Sequence, residues 1–404
     1  MYKTTPKSAT MISVAEALKL IENRVPRSAV ADYPLEECLG CVLAEDLHSP
    51  IDMPSFRQSS MDGYAIAHAA LESYTLVGEV QAGIASNVAL KPGEAVRIFT
   101  GARVPDHADT VVMQEHTRRE GDLLFIDKLP NPGSNVRAKG QQLGKGALAL
   151  PKGTVLTEGA LGLLAGIGMD RVPCRKTPKV SIIITGNELV APGTELKEGQ
   201  VYESSSIALK SALKRRGIQD IAIHYVQDDL DSTRAAIAQQ LNDAELVLIS
   251  GGISVGDYDF VRQALIDNGL QEHFYKVNQK PGKPLWFGTQ NETIVFALPG
   301  NPASSLTCLY VYVLAAIRSM MGHRDLRDIP QYAISQDTIM NTFGKQLFLK
   351  GIVRDGRAAL LDGQASFMMR SFALCNALLI VPADATEIAA GAEIEYIDLS
   401  KGLG

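Results

Sequence analysis

The sequence predicts a multidomain α/β-plus-β chain in which a doubly wound α/β domain sits among smaller β-rich units. Three observations predict it. Between residues 177 and 326, apolar strands and helical segments alternate strictly, the pattern of βαβ units around a mostly parallel sheet. Over 51–140 and again over 327–404, short apolar runs are broken by Gly, Pro, Asn and Asp turns, as in small β domains. The chain's 404 residues also exceed what one hydrophobic core usually holds, so several domains are expected.

Taken in order, "SVAEALKLIENRV" opens with Ser13 and has Glu16 three positions on, a capping box at a helix start. Val14, Leu18, Ile21 and Val25 then share one helical face. Residues 51–140 carry the strands "YTLVGEV", "AVRIFTG", "TVVMQE" and "LLFID" of a small β domain. A second helix, "TEGALGLLAGIG", follows. It is expected to pack on the first, making 1–50 and 141–176 one discontinuous domain. In 177–326, "VSIIIT", "IAIHYV", "ELVLIS", "HFYKV" and "TIVFAL" read as strands, largely without polar alternation, as sheets covered on both faces do. The helices "SSIALKSALKRRG", "STRAAIAQQLN" and "DFVRQALIDNG" lie between them, and a long helix runs from Pro302 to about Met321. The remainder, 327–404, reads as a β-barrel-like C-terminal domain.

Composition narrows the function. Hydrophobic residues make up 46% and charged residues 21%, which is ordinary for a globular protein and against extensive disorder. A net charge of −6 argues against general nucleic-acid binding. The N-terminus has no apolar signal region and the run "CLYVYVLAAI" is shorter than a membrane span, so a cytoplasmic location without membrane attachment is expected. Five cysteines, an odd number, fit a reducing compartment. Cys38 and Cys41 form a C-x-x-C pair, but no second pair or neighbouring histidine completes a zinc site in the sequence. They read as small buried hydrophobes. The seven histidines are scattered, so no histidine metal site is expected.

Ligands of open α/β sheets bind at the carboxyl ends of the strands, and the polar stretches of this chain collect there. "TGNEL" follows the first strand, "QDDLDS" the second and "SGGISVGDYD" the third; "KPGKP" precedes "LWFG", and "LPGNPASS" leads into the last helix. By itself "TGNEL" is equally a turn, and "QDDLDS" reads first as a helix start capped by Asp231 or Ser232. "GGISVGDYD" is neither a dinucleotide fingerprint nor a P-loop. Its carboxylates, Asp257 and Asp259, suit an oxygen-loving cation such as Mg²⁺. Lys276, Lys280 and Lys283, stiffened by Pro281 and Pro284, make an anion site. The helix beginning at Pro302 offers free amides beside it. Cation, lysines and helix start together suit a reaction in which a phosphate leaves.

"FRQSSMDGYA", "FTGARVP", "TGNEL", "SGGISVGDYD", "KPGKP" and "LPGNPAS" occur in this order over most of the chain. They resemble the bacterial MoeA family of molybdopterin molybdotransferases, to which the C-terminal region of gephyrin is also similar. The resemblance implies an elongated four-domain chain with a MogA-like third domain. It implies a homodimer whose active site lies between the α/β domain of one subunit and the small β domain of the other. The implied reaction consumes adenylylated molybdopterin, releases AMP with Mg²⁺ and inserts molybdate at the dithiolene. Asp62 and Thr100 would face the substrate from the small β domain. Glu188, Asp228 and Asp259 would be the crevice acids, with Asp259 and Glu188 on Mg²⁺. Lys276 and Lys280 would bind molybdate or phosphate, Pro299 and Pro302 would shape the adjacent loop, and Gly252 and Ser254 would lie against the substrate. A MogA-type adenylyltransferase and molybdoenzyme maturation factors are the implied partners. The chain departs from the family pattern at Gln141 and Gln142, where two acids are usual, and at Ser205, where asparagine is common. Two other readings are an adenylyltransferase of the same pathway and a non-catalytic scaffold. The flanking domains weigh against the first, and the joint retention of Asp62, Glu188, Asp259, Lys276 and Lys280 weighs against the second.

Overall fold

A computed structural model describes residues 11–84, 88–253, 260–323, 325 and 330–400. Its centre is a six-stranded sheet made of β1 (Val180–Thr185), β2 (Ile221–Val226), β3 (Leu246–Ser250), β4 (Gln271–Lys276), β5 (Pro284–Gln290) and β6 (Thr293–Leu298). Their order is β2-β1-β3-β6-β5-β4. β1 pairs in parallel with β2 and β3, and β3 with β6. β5 runs antiparallel to both β6 and β4. Two reversals return β4 to the direction of β6, so the carboxyl ends of β1, β2, β3, β4 and β6 share one edge. The loop from Lys276 to Pro284 lies on that edge too, because it leaves β4 and enters β5 there.

β1, β3 and β6 are buried at every position, which is why Ile, Val and Leu dominate them. β2, at the sheet's edge, is only half-buried. The helix from Pro302 to Met321 is 20 residues long with a mean hydropathy of 1.3, enough by length and composition to cross a membrane, but 94% of that stretch is buried inside the protein. It is the core helix of the α/β unit. It comprises α6 (Pro302–Cys308) and α7 (Leu314–Met321), joined by a π-helical turn over Leu309–Val313.

The first helix, α1 (Val14–Arg24), has the predicted capping box. The Glu16 amide donates to Ser13 Oγ at 3.1 Å, and the Ser13 amide donates to Glu16 Oε2 at 2.8 Å. Its packing corrects the sequence expectation. Val14, Ala17 and Ile21 join the core of the α/β unit with Ile317, Met320 and Met321, and the Ser28 amide donates to the Met320 carbonyl. The helix α2 (Glu158–Gly166) instead packs Leu164 in a separate core with Cys38, Leu43, Leu156, Val172 and Cys174. An apolar helical face specifies burial and not the surface it meets.

The small β domain is a six-stranded sheet spanning Gly63 to Ile126. The C-terminal unit closes into a barrel, because Gln346–Arg354 pairs with both Arg357–Leu360 and Ala377–Val381, and Gln331–Ser335 and Glu393–Asp398 complete the ring. Gln279–Lys280 adds to it in parallel at Gln346–Leu347. The lysine loop is thereby anchored to the barrel as well as to the sheet.

Candidate functional site

The sheet reverses its winding between β1 and β3, the usual place for a ligand crevice. Thr185 ends β1 there, Asp228 follows β2, and Gly251 and Gly252 follow β3. The glycines are required by close approach. A Cβ on Gly251 would stand 2.5 Å from the Thr185 carbonyl oxygen, and one on Gly252 would stand 2.6 Å from Val261 Cγ2 of α5 (Phe260–Asp267) and 3.6 Å from Asp228 Oδ1. Both residues have positive φ, so a side chain would be strained as well as crowded. Gly300 of the "LPGNP" turn packs against the same loop, its would-be Cβ 3.6 Å from Gly251 Cα. Asp257, Asp259 and Ser254 lie outside the described residues.

Helix α4 (Leu230–Asp243) explains how the acids divide their work. Its N-cap is Asp229, whose Oδ1 accepts from the Ser232 amide at 2.9 Å. The cap expected from the sequence, Asp231 or Ser232, is therefore displaced by two or more residues. With Asp229 occupied, Asp228 is freed for the crevice. The Asp228 amide donates to Asn187 Oδ1 at 3.1 Å, which ties the end of β2 to the "TGNEL" turn. Asp228 Oδ1 is buried without a hydrogen-bond partner among the described residues, and so is Thr185 Oγ1. Burial, then the Glu188 carboxylate, then Asp229 push the Asp228 carboxyl above its ordinary range. Glu188 itself is exposed, and its Oε2 lies 3.0 Å from where a Gly186 Cβ would stand. Two carboxylates and an orphan hydroxyl thus meet at the switch point with no cationic partner in hydrogen-bond contact among the described residues. This donor set fits an oxygen-loving divalent cation.

The lysine loop is built from behind. Gln279 is buried, and its Nε2 donates to the Gly282 carbonyl at 3.0 Å, while its Oε1 accepts from the Tyr312 hydroxyl. Tyr312 belongs to the π-helical turn of the core helix. Such turns are frequent where a helix must redirect a side chain at a functional site. Gly282 has a φ of +82°, and a Cβ there would stand 2.6 Å from Cys308 Sγ of α6. The N-terminal segment clamps the other side, since the Ile12 amide donates to the Lys276 carbonyl at 3.1 Å and the Asn278 amide to the Ile12 carbonyl at 2.7 Å. On this frame Lys276 is half-buried, with Nζ 5.0 Å from the centre of the Tyr275 ring, and Lys280 is exposed, with Nζ 3.4 Å from the centre of the Phe343 ring. Pro299 is buried, and its carbonyl accepts from Ser305 Oγ, so the turn into α6 is fixed beside the lysines. Pro302 occupies the first turn of α6.

Asp62 and Thr100 form a separate locus in the small β domain. Asp62 Oδ1 accepts from the Thr100 amide and from Thr100 Oγ1, both at 2.7 Å. These bonds, the backbone one foremost, hold the Asp62 carboxyl below its ordinary range, with the Arg97 guanidinium helping. Among the described residues, no hydrogen bond or ion pair joins Asp62 or Thr100 to the α/β crevice of the same chain. A cavity of about 620 Å³ lies elsewhere, between α1, the core helix and the barrel, and none of the predicted site residues lines it.

Of the departures, Gln141 accepts from the Ala138 amide at 2.9 Å through Oε1, and Ser205 is buried at the start of α3 (Ser205–Arg215). Glu203, one residue before the N-cap Ser204, accepts from the Ser206 amide at 2.8 Å. Sequence reasoning missed Thr185, Asn187, Gln279 and Tyr312. The first two sit inside or beside a motif already noted, whereas only three-dimensional contact identifies the last two as supports.

Comparisons with known proteins accord with this arrangement. Residues 12–168 match the family model for the MoeA N-terminal region (domain I and II), 181–319 that for a probable molybdopterin binding domain, and 332–399 that for the MoeA C-terminal region (domain IV). The chain is 32% identical to molybdopterin molybdenumtransferase 2 of Mycobacterium tuberculosis, over 96% of this chain and 100% of the relative. It is also 32% identical to molybdopterin molybdenumtransferase of Haemophilus influenzae, over 98% of this chain and 100% of the relative. The crystal structure of the molybdopterin biosynthesis MoeA protein from Pyrococcus horikosii superposes with a TM-score of 0.83 at 30% identity, covering 97% of this chain and 100% of that one.

Proposed function

The chain belongs to the MoeA family, and from that premise we propose that it is a molybdopterin molybdenumtransferase, cleaving adenylylated molybdopterin to release AMP and inserting molybdate at the dithiolene. The observation that carries this reading is the switch-point crevice, where the Glu188 carboxylate acts on Asp228 beside two required glycines, with the lysine loop farther along the same sheet edge. An acidic pair with a buried orphan oxygen is costly without a cation, and a phosphate-releasing reaction supplies a reason to keep it.

Glu188 and Asp228 would hold Mg²⁺, directly or through water, with Asp259 a further candidate ligand from the adjoining loop. When bound, the cation neutralises phosphate oxygens of the substrate. The remaining work falls to the chain's own groups. Lys276 and Lys280 bind the oxyanions of molybdate or phosphate, and the buried Gln279–Tyr312 contact keeps their loop from moving. The Pro299–Ser305 bond sets the turn that brings the α6 amides to the same edge. Gly252 lets the backbone approach the substrate without a side chain in the way, and Ser254 follows two residues on.

In this reading, as the family resemblance implies, Asp62 and Thr100, which are held to each other in the small β domain, complete the site from a second copy of the chain. The protein then works as a homodimer. The test supplies adenylylated molybdopterin, molybdate and Mg²⁺ under reducing conditions. AMP release and cofactor able to reconstitute a molybdenum apoenzyme are expected, and the absence of both refutes the reading. Mixing Asp62→Ala with Asp228→Asn subunits tests the dimer: each variant alone is inactive, and the mixture recovers up to about a quarter of wild-type activity. No recovery in a mixture shown to exchange subunits places the two residues in one subunit.

A further inference from the structure

Cys38, Cys41 and Cys174 converge in the core that also holds α2. Their sulfur atoms all lie within 4.8 Å of one another, with Cys38 Sγ and Cys174 Sγ 3.7 Å apart. Nothing in the proposed transferase chemistry uses them. The fold goes to some length to bring them together, since Cys174 follows the C-x-x-C pair by more than 130 residues. It sits in the strand Arg171–Arg175, which lies between Ala31–Pro34 and Val42–Leu43 and pairs Cys174 with both Ala31 and Leu43. Cys38 and Cys41 come from the turn connecting those two outer strands. The Cys41 amide donates to the Cys38 carbonyl at 3.0 Å, and Gly40 between them has a φ of +77°. That left-handed glycine turns both thiols back toward the centre strand.

A core of small apolar side chains explains burial but gives no reason for three sulfurs to share one point. Ligand geometry does. Metal–thiolate bonds are about 2.3 Å, so three sulfurs around one ion stand about 4.0 Å apart in a trigonal plane. The observed spacings need only small side-chain adjustments to reach this. Among the described residues no histidine, aspartate, glutamate or further cysteine joins the group. Structural zinc takes four ligands, whereas soft monovalent ions accept three thiolates and an apolar surround. Cys38 and Cys174 are 0% exposed, and Cys41, at 7%, is the thiol nearest solvent. The hydrogen bond with Cys174 and the Lys176 ammonium pull the Cys41 thiol down against its burial, whereas burial pushes Cys38 up, and the hydrogen bond with Cys41, then burial, push Cys174 up.

We propose that Cys38, Cys41 and Cys174 form a three-thiolate binding site for a soft monovalent ion of the copper(I) class. Binding replaces three S–H protons with one ion and leaves a net charge of −2 on the centre, beside the Lys176 ammonium, which is shared with Glu37 at 3.2 Å. There is no change of oxidation state, and the site is independent of the transferase crevice.

The reduced full-length protein is titrated anaerobically with copper(I) supplied as its bicinchoninate complex. One equivalent per chain is expected to leave the chelator, and X-ray absorption should show three sulfur neighbours. Cys41→Ser and Cys174→Ala, tested singly, should each weaken retention at least tenfold, and Cys375→Ser should not. A variant that misfolds is caught by circular dichroism, and the wild-type protein carries its own check. Copper(I) should slow alkylation of Cys41 by iodoacetamide, read by mass spectrometry. Unchanged alkylation, retention by Cys174→Ala equal to wild type, two-sulfur coordination, or preferential uptake of zinc(II) in a four-ligand site would each overturn the assignment.

Discussion

Replacing Asp228 with Asn should make the metal-free protein more stable while destroying its response to Mg²⁺. In the folded chain the Asp228 carboxyl is raised by burial, by Glu188 and by Asp229. A carboxyl raised by folding costs stability once it ionises, and that cost grows as pH rises through the carboxylate range and is fully present at pH 7. Asn leaves a polar atom at the buried Oδ1 position, so the gain comes only from removing the charge that burial and Glu188 oppose, on a scale of about 1–3 kcal/mol. Asp228 is only half-buried, so solvent screening puts the figure near the lower end, at about 1 kcal/mol. For a domain of this size that is a rise of about 2–4 °C in midpoint. The assay is local, because Trp286 is the chain's single tryptophan, fully buried in β5, with Nε1 donating to Glu272 Oε2 at 2.7 Å. Its fluorescence reports unfolding of the α/β unit without the other domains. With Mg²⁺ at about a hundred times its Kd, the wild type should gain about 2.7 kcal/mol and the variant almost none. Turnover should fall about 10²–10³-fold. A variant less stable than wild type without Mg²⁺, or one that keeps the Mg²⁺ shift, refutes the assignment of Asp228 to a cation.

Three further outcomes are expected. Thr100→Ala removes one of the two bonds to Asp62 and should cut turnover by more than tenfold, while Thr100→Ser should restore most of it. Gly282→Ala forces a Cβ toward Cys308 Sγ at 2.6 Å in a left-handed conformation and should cost about 1–3 kcal/mol, with the KM for molybdate raised more than kcat is lowered. Burial, with Arg318 and Arg27 nearby, lowers the pKa of His323 to about 4. A histidine depressed by folding withholds protons that the unfolded chain takes up, so stability should fall as pH drops from about 6.5 to about 4, by on the order of 2 kcal/mol, and His323→Asn should flatten that slope.

The α/β unit was legible because its two signals are local and redundant. β1, β3 and β6 are continuous apolar runs, and each is followed by a polar, glycine-bearing turn that has to sit at the sheet's edge. The capping box of α1 was legible for the same reason, since Ser13 and Glu16 satisfy each other within one turn. The partner of α1 was not, because a stripe of Val14, Ala17 and Ile21 matches any apolar surface, and only the competition among cores chooses one. Cys174 was invisible to the C-x-x-C reading, since it is brought to Cys38 by strand pairing between segments that the whole small β domain separates in sequence.

Asp228 and Asp229 show where local reading stops and tertiary structure begins. Adjacent aspartates before a helix invite one explanation, dipole and cap, and that explanation is complete for Asp229, which binds the Ser232 amide. Nothing in it accounts for Asp228, whose amide is drawn to Asn187 on the neighbouring turn and whose carboxylate is left with a buried oxygen and a like-charged neighbour. A helix start built for stability alone would place a neutral residue there. The same holds at Gly251 and Gly252, where a turn of ordinary geometry would accept a side chain, but contact with Thr185 and Val261 forbids one. Each of these local costs faces the same few ångströms above the β1–β3 switch. Costs that are unrelated in sequence and coincide in space are what a binding site leaves in a fold when its ligand, rather than the chain, supplies the compensating interactions.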